Sequence, residues 1–139
     1  MATFTNPQMM EYRKLGRTDL QVSLLGFGTA TLGNVYGVTD PSNSERAVHL
    51  AIEHGINFFD SSPYYGLTLS EERLGQALRG WRDKVVLATK CGRYGMDAFD
   101  FSAARITASV DESLQRSVVE GPVEPDHGLG HDPEAEGLR

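Results

Sequence analysis

Residues 57–66 have the sequence Asn-Phe-Phe-Asp-Ser-Ser-Pro-Tyr-Tyr-Gly, in which a short apolar run ends abruptly in polar side chains. Such a run, bounded by turn-forming residues, is typical of a strand that is buried on both faces of a parallel sheet. We predict a strand over residues 56–59 that ends at Asp60. Helical patterns precede and follow this strand, so the sequence indicates an α/β fold.

Two further apolar runs lie on either side of this strand. Residues 22–27 and residues 85–88 are each bounded by turn-forming or polar residues, and each predicts a strand. The Ser-x-x-Glu and Thr-x-x-Glu sequences at 42–45 and 68–71 predict capping boxes that start two helices, and Ser102 is expected to cap a third. Strands about 30 residues apart with a helix between them are typical of right-handed βαβ units, so the sheet should be parallel.

The two ends of the chain differ from its middle. Residues 1–10 are expected to form a loose leader, followed by a hairpin around the turn at 16–19. Residues 118–139 mix Gly and Pro with six acids and one arginine, a composition that buries too little surface to offset the entropy of ordering. We therefore predict one domain over 11–117 and a disordered acidic tail over 118–139.

The composition excludes several classes of partner. The 139 residues include 13 Lys and Arg against 19 Asp and Glu, and the net charge of −6 provides no basic surface for nucleic acid or an anionic membrane. No apolar run in the sequence is long enough to cross a membrane. Cys91 is the only cysteine, so no disulfide can form within the chain, and a reducing, cytoplasmic location is the simplest expectation.

Polar residues at the carboxyl ends of parallel strands are the first candidates for a site, because these ends meet at one edge of the sheet. Here they are Gly28 and Thr29 after the first strand, Asp60 and Tyr65 after the second, and Lys90 after the third. A tyrosine titrates near pH 10, so its use in proton transfer near neutrality needs a nearby cation that favours the phenolate. We predict that Lys90 is this cation, that Asp60 keeps Lys90 charged, and that Tyr65 exchanges the proton.

Each of these residues has a simpler interpretation when it is considered alone. Asp60 would be a turn or cap residue and Lys90 a solvated strand end, whereas Cys91 lacks a histidine partner and is expected to be structural. No metal site is predicted, because His49 and His54 are five residues apart and point to different faces of a helix. The Gly-Phe-Gly sequence of the first strand begins a dinucleotide-binding pattern but lacks its third glycine, so it indicates that pattern only weakly.

Three segments together resemble the aldo-keto reductase family. They are Gly26-Phe27-Gly28-Thr29, residues 57–66 with Ser70-Glu71-Glu72 and Leu74-Gly75, and the run Leu87-Ala88-Thr89-Lys90-Cys91-Gly92-Arg93-Tyr94. The resemblance covers about residues 11–116 and is greatest to the sugar dehydrogenases of the family. It implies the first three βα units of a TIM-type (β/α)8 barrel, preceded by the N-terminal hairpin, with the barrel left incomplete.

The family transfers hydride between a nicotinamide cofactor, NAD or NADP, and a small-molecule sugar or carbonyl substrate. The resemblance implies that Asp60, Tyr65 and Lys90 are three of its four catalytic residues. It also implies that the residues contacting the cofactor are Gly28, Thr29 and Asp60. The fourth catalytic residue, a histidine that ends the next strand, has no counterpart, because residues 117–122 are Ser-Val-Val-Glu-Gly-Pro.

A complete barrel of this kind needs about 250 residues. The chain is therefore expected to be a truncated form that is inactive alone, with its first and third strands as open edges. Such edges carry apolar side chains suited to a closed core, so self-association through them is a further expectation. The alternative from a different class of function is a non-catalytic truncated product or an interaction fragment.

Overall fold

The computed structural model describes residues 10–117, which form two small sheets and three α-helices. The strands are β1 (Tyr12–Lys14), β2 (Gln21–Ser23), β3 (Phe27–Gly28), β4 (Phe58–Asp60) and β5 (Val86–Ala88). The helices are α1 (Pro41–Glu53), α2 (Leu69–Ala77) and α3 (Ala103–Ser117), and short 3-10 turns occur at Ala30–Gly33 and Arg82–Lys84. The predicted leader, apart from its last residue, and the predicted acidic tail lie outside the described residues.

The sheet topology confirms the prediction of a hairpin followed by three βα units. Strands β1 and β2 pair antiparallel, whereas β3, β4 and β5 form a parallel sheet in that order. The register places Gly28, Asp60 and Ala88 side by side at the carboxyl ends of the three parallel strands. Among the described residues β3 and β5 are the edge strands and no barrel is closed.

The predicted strand over residues 22–27 is wrong. Residues 21–23 belong to the hairpin and residues 27–28 to the parallel sheet, and the exposed side chains of Leu24 and Leu25 lie between them. Asn57 holds the end of the hairpin, because its Oδ1 accepts from the Ser23 amide at 2.7 Å and its Nδ2 donates to the Gln21 carbonyl at 2.8 Å. The apolar run is therefore divided between two sheets.

The structure also corrects both predicted capping boxes. Helix α1 begins two residues earlier than expected, with Asp40 as its cap, because the Asp40 carboxylate accepts from the Asn43 amide and Pro41 occupies the first turn. Thr68 precedes α2 but has a left-handed backbone, and its hydroxyl bonds to the Glu72 carboxylate instead of a backbone amide. Ser102 does cap α3, since its hydroxyl accepts from the Arg105 amide at 3.3 Å.

The core lies between the parallel sheet and the helices, and α2 packs against both α1 and α3. The fully buried side chains of this core include Phe59 of β4 and Leu74 of α2. The apolar side chains Val110 and Leu114 of α3 are about half exposed, at 49% and 51%. Within the described residues, no helix has both the length and the apolar character needed to cross a membrane.

Candidate active site

The strand ends continue to pair beyond the last residues of the parallel sheet. The Thr29 amide donates to the Asp60 carbonyl at 2.9 Å, and the Ser61 amide donates to the Ala88 carbonyl at 2.8 Å. These bonds keep the segments that follow β3, β4 and β5 in register as they leave the sheet. Residues that immediately follow β4 and β5 are therefore neighbours in space.

Lys90 lies at the centre of the predicted site. Its ammonium nitrogen donates to Asp60 Oδ2 at 2.7 Å and to the Ser61 carbonyl at 2.8 Å. The same nitrogen lies 5.0 Å from the centre of the Tyr65 ring, within the range of a cation–π contact. The structure therefore brings together Asp60, Tyr65 and Lys90, as the sequence predicts.

The environment of Lys90 favours its charged form. Partial burial acts to lower the pKa of the Lys90 ammonium, but interactions with Asp60 and Tyr65 outweigh this effect, so that the pKa is raised above its ordinary value. The side chains of Lys90 and Asp60 are 46% and 43% exposed, so solvent screens the attraction between them. Lys90 is consequently an ammonium ion at neutral pH, close to the Tyr65 ring.

The loop that carries Tyr65 is held by a close approach between two glycines. A Cβ atom added at Gly33 would lie 2.5 Å from the Tyr65 carbonyl oxygen, and one added at Gly66 would overlap the Gly33 backbone. Gly66 also has a φ of +66°, a backbone conformation that residues with a Cβ rarely adopt. The two glycines thus permit the contact that sets the position of Tyr65.

A buried set of hydroxyl groups lies beneath this loop. Ser70, the second residue of α2, donates to the Thr29 carbonyl at 2.7 Å and contacts the Thr29 hydroxyl at 2.8 Å and the Ser61 hydroxyl at 3.2 Å. Thr29 is fully buried, and its amide donates to Asp60. Thr29 supports the strand ends, since its amide, hydroxyl and carbonyl all take part in internal hydrogen bonds.

Sequence reasoning assigned Glu71 to a capping box and missed that its carboxylate is fully buried in α2. One of its oxygens accepts from the Thr89 hydroxyl, and the other accepts from Arg116 Nε at 2.7 Å. A signal was available in the sequence, since Glu71 falls on the same helix face as Leu74 and Leu78, where an apolar residue is expected. Glu71 therefore joins α2, the end of β5 and the last turn of α3.

One side of the site is bordered by the loop between β5 and α3. The Arg93 guanidinium stacks on the Tyr64 ring at 3.7 Å from its centre, and the Tyr64 hydroxyl contacts Met96 Sδ at 3.2 Å. Phe99 lies on the loop as well, with its ring centre 5.2 Å from Arg93. Tyr64 therefore packs against this loop, between Arg93 and Met96.

Neither histidine of the described region lies at the strand ends. His49 Nε2 is 2.7 Å from the Ala77 carbonyl, and His54 Nδ1 is 2.8 Å from the Leu50 carbonyl, both contacts involving α1. Between residues 10 and 117 no three His, Cys, Asp or Glu side chains are grouped as metal ligands would be. The part of the site that is described thus consists of a carboxylate, a phenol and an amine.

The strand ends are open to solvent beside an accessible carboxylate. A Cβ added at Gly28 would have no neighbour within 4 Å, so open space lies beside this strand end. The half-exposed Asp60 carboxylate is accessible to a ribose hydroxyl. This edge of the sheet therefore offers a ligand both open space and an exposed carboxylate.

Comparison with known proteins gives consistent matches over most of the chain. The profile of the Aldo/keto reductase family matches residues 24–122. L-galactose dehydrogenase of Arabidopsis thaliana is 50% identical over 110 residues, which are 77% of this chain and 34% of that protein. D-threo-aldose 1-dehydrogenase of a Pseudomonas species is 32% identical over 121 residues, covering 70% of this chain and 37% of that protein.

A solved structure shows the same relationship. The holo form of an aldo-keto reductase from Bacillus halodurans superposes with a TM-score of 0.68 at 38% identity, over 78% of this chain and 36% of that one. The chain spans about a third of the length of the curated relatives it matches. Its three βα units are those of the family's barrel fold. The chain belongs to the aldo/keto reductase family.

Proposed function

We propose that Asp60, Tyr65 and Lys90 are the proton-transfer residues of a nicotinamide-dependent dehydrogenase that oxidises an aldose such as L-galactose. The observation that carries this proposal is the position of the Lys90 ammonium, 2.7 Å from the Asp60 carboxylate and 5.0 Å from the Tyr65 ring centre.

The three side chains suit the removal of a proton from a sugar hydroxyl. Tyr65 would accept this proton as its phenolate, and the ammonium of Lys90 would stabilise the negative charge of that phenolate. Asp60 would keep Lys90 charged and would hold its long side chain in place. A bound nicotinamide ring supplies the acceptor for the hydride that leaves the sugar carbon.

The choice of an aldose rests on the relatives. Two of them are named for the oxidation of L-galactose and of D-threo-aldoses. Resemblance of the residues around Asp60 and Lys90 to sugar dehydrogenases supports the same class for this chain. Both NAD and NADP remain within the proposal, since Gly28 and Asp60 would contact the part of the nucleotide that the two cofactors share.

We further propose that the 139-residue chain needs additional residues for turnover. The described region contributes no histidine at the strand ends, and β3 and β5 each have only one strand neighbour there. A second polypeptide could supply both the histidine and the missing strand neighbours. The same two observations favour a non-catalytic interaction fragment as the second candidate.

The experiment is an assay of L-galactose-dependent reduction of NAD or NADP by the full chain. It is run with the chain alone and with a second polypeptide, the part of the Arabidopsis enzyme that follows the matched region. We expect turnover only in the mixture. Tyr65→Phe should lower that turnover by about 10²-fold or more, because the group that accepts the proton is lost.

The matched control is Tyr12→Phe, which removes the same hydroxyl from the hairpin. Tyr12 donates to the Gly55 carbonyl at 2.7 Å, near the amino end of β4 and away from Lys90. This variant should retain wild-type turnover in the mixture. Equal turnover by wild type and Tyr65→Phe would refute the assigned role of Tyr65. A mixture that never turns over would favour the interaction fragment.

A further inference from the structure

We infer that Glu71 is a positioning residue for Lys90, and that it acts through the hydroxyl of Thr89. The inference rests on the proposed function of Lys90, since a position matters only if the ammonium has a task there. Glu71 has no contact with the substrate side of the site. Its contribution would be to fix the chain from which Lys90 projects.

The first support is the weak backbone attachment of the segment that carries Lys90. The Ala88 carbonyl accepts the last backbone hydrogen bond at the end of β5. From Thr89 to Cys91, the described structure contains no backbone–backbone hydrogen bond. Beyond the sheet, therefore, side chains hold the segment, and the Thr89 hydroxyl bonded to Glu71 is the anchor that immediately precedes Lys90.

The second support is the rigidity of the anchor itself. Glu71 is 0% exposed, and its second oxygen is occupied by Arg116 at 2.7 Å, so the carboxylate is paired on both sides. A Cβ added at Gly75 would overlap the Arg116 carbonyl, which shows that α2 and α3 are in direct backbone contact at this point. A fully buried, charge-paired carboxylate between two packed helices cannot move freely.

The third support is the direction of the contacts. Glu71 holds Thr89 from the helix side of the sheet, whereas Lys90 turns to the strand ends and contacts Asp60 and Ser61. Adjacent residues of an extended chain point to opposite sides, so anchoring Thr89 orients Lys90. The end of α3, 26 residues after Lys90 in the sequence, is linked to the ammonium through this path.

The test compares Thr89→Val with wild type in the full-length chain. Valine has nearly the same shape as threonine but cannot donate to Glu71. The readout is the pKa of Lys90, followed by NMR of its side chain during a pH titration, with Asp60 and Tyr65 as the groups that face it. We expect the pKa to fall by about 0.5 or more, a roughly threefold loss of proton affinity, because a mobile Lys90 spends less time beside Asp60.

Three further variants make the result specific. Thr89→Ser retains the hydroxyl and should keep the wild-type pKa, whereas Thr89→Ala should behave as Thr89→Val does. Thr107→Val removes a threonine hydroxyl that donates to the Ala103 carbonyl within α3, and it should leave Lys90 unchanged. Thermal unfolding of every variant separates a loss of stability from a loss of position.

An unchanged Lys90 pKa in folded Thr89→Val, or in folded Thr89→Ala, would overturn the inference. A fall of equal size in Thr107→Val, or in Thr89→Ser, would overturn it too, because the effect would then not depend on the bond to Glu71. None of these measurements uses turnover. If the proposed function is wrong but this inference is right, the chain will show no catalysis while Thr89→Val still lowers the pKa of Lys90.

Discussion

The ammonium nitrogen of Lys90 lies 2.7 Å from the carboxylate of Asp60, across two neighbouring parallel strands. The pair is formed because β4 and β5 end in the same row of the sheet and leave it side by side. Nearly half of each side chain is exposed, so this contact contributes little to stability and is better suited to orienting a charge.

The first prediction concerns the pH dependence of stability. The folded-state pKa of Lys90 is raised, so its stabilisation is complete below the unfolded-state pKa of about 10.4 and is lost as the pH rises through the folded-state value. Asp60→Asn should reduce this dependence, because one of the two groups that raise the Lys90 pKa is lost. Urea unfolding is measured at pH 8 and near pH 11. Between these two values the free energy of unfolding should fall further for wild type than for Asp60→Asn, by about 0.2–1 kcal/mol after allowance for solvent screening.

A control for this measurement is Asp19→Asn, which breaks the exposed Lys14–Asp19 pair of the hairpin. In this variant the free energy of unfolding should fall by the same amount as in wild type when the pH is raised. If Asp60→Asn and wild type lose the same stability between the two pH values, the contact with Asp60 does not raise the pKa of Lys90.

The second prediction concerns the buried ion pair between α2 and α3. Arg116→Met should lower the free energy of unfolding by about 3–5 kcal/mol, because the fully buried Glu71 carboxylate loses its counter-charge. Arg105→Met is the matched change in the same helix, where the pair with Glu112 is more exposed, and it should cost far less. Chemical denaturation measures both, and equal costs would show that Glu71 does not depend on Arg116.

The third prediction concerns the glycine contact beneath Tyr65. Gly33→Ala should lower the free energy of unfolding by about 1–3 kcal/mol, since the new Cβ would lie 2.5 Å from the Tyr65 carbonyl. Gly28→Ala adds the same methyl group where nothing lies within 4 Å and should leave stability unchanged. A Gly33→Ala chain with wild-type stability and an unshifted Tyr65 amide resonance would contradict the proposed constraint on the loop.

The fourth prediction concerns the open edges of the parallel sheet. Strand β5 is an edge among the described residues, and the half-exposed Leu114 of α3 adds an apolar side chain on the outer surface of the domain. Copies that associate through such surfaces stabilise one another by mass action, so the melting temperature should rise with protein concentration. Leu114→Lys should reduce this rise. A constant melting temperature, with a monomeric mass in light scattering, would exclude self-association.

Much of the parallel sheet could be predicted because each strand is a short apolar run that ends in polar residues. The same signal placed Asp60 and Lys90 at neighbouring strand ends, and the structure confirms that they meet. The signal failed at residues 22–27, where one apolar run serves two sheets and Leu24 and Leu25 are exposed between them. Composition alone does not show where a chain crosses from one sheet to another.

Long-range partners could not be predicted from local patterns. The contact between Glu71 and Arg116 joins residues 45 positions apart, and although Glu71 falls on the apolar face of α2, nothing in the local sequence pairs it with Arg116. The cap of α1 was missed for a different reason, because Ser42 and Asp40 are both good capping residues and Pro41 in the first turn favours the earlier start. Competing caps of similar strength are resolved only by the fold.

A titration of the 139-residue chain with NADH and with NADPH, followed by cofactor fluorescence and checked by light scattering, decides whether these strand ends form a nicotinamide site. Our account predicts saturable, micromolar binding of at least one of the two cofactors by a soluble species, weakened in Asp60→Ala. No saturable binding of either cofactor up to millimolar concentration would contradict it.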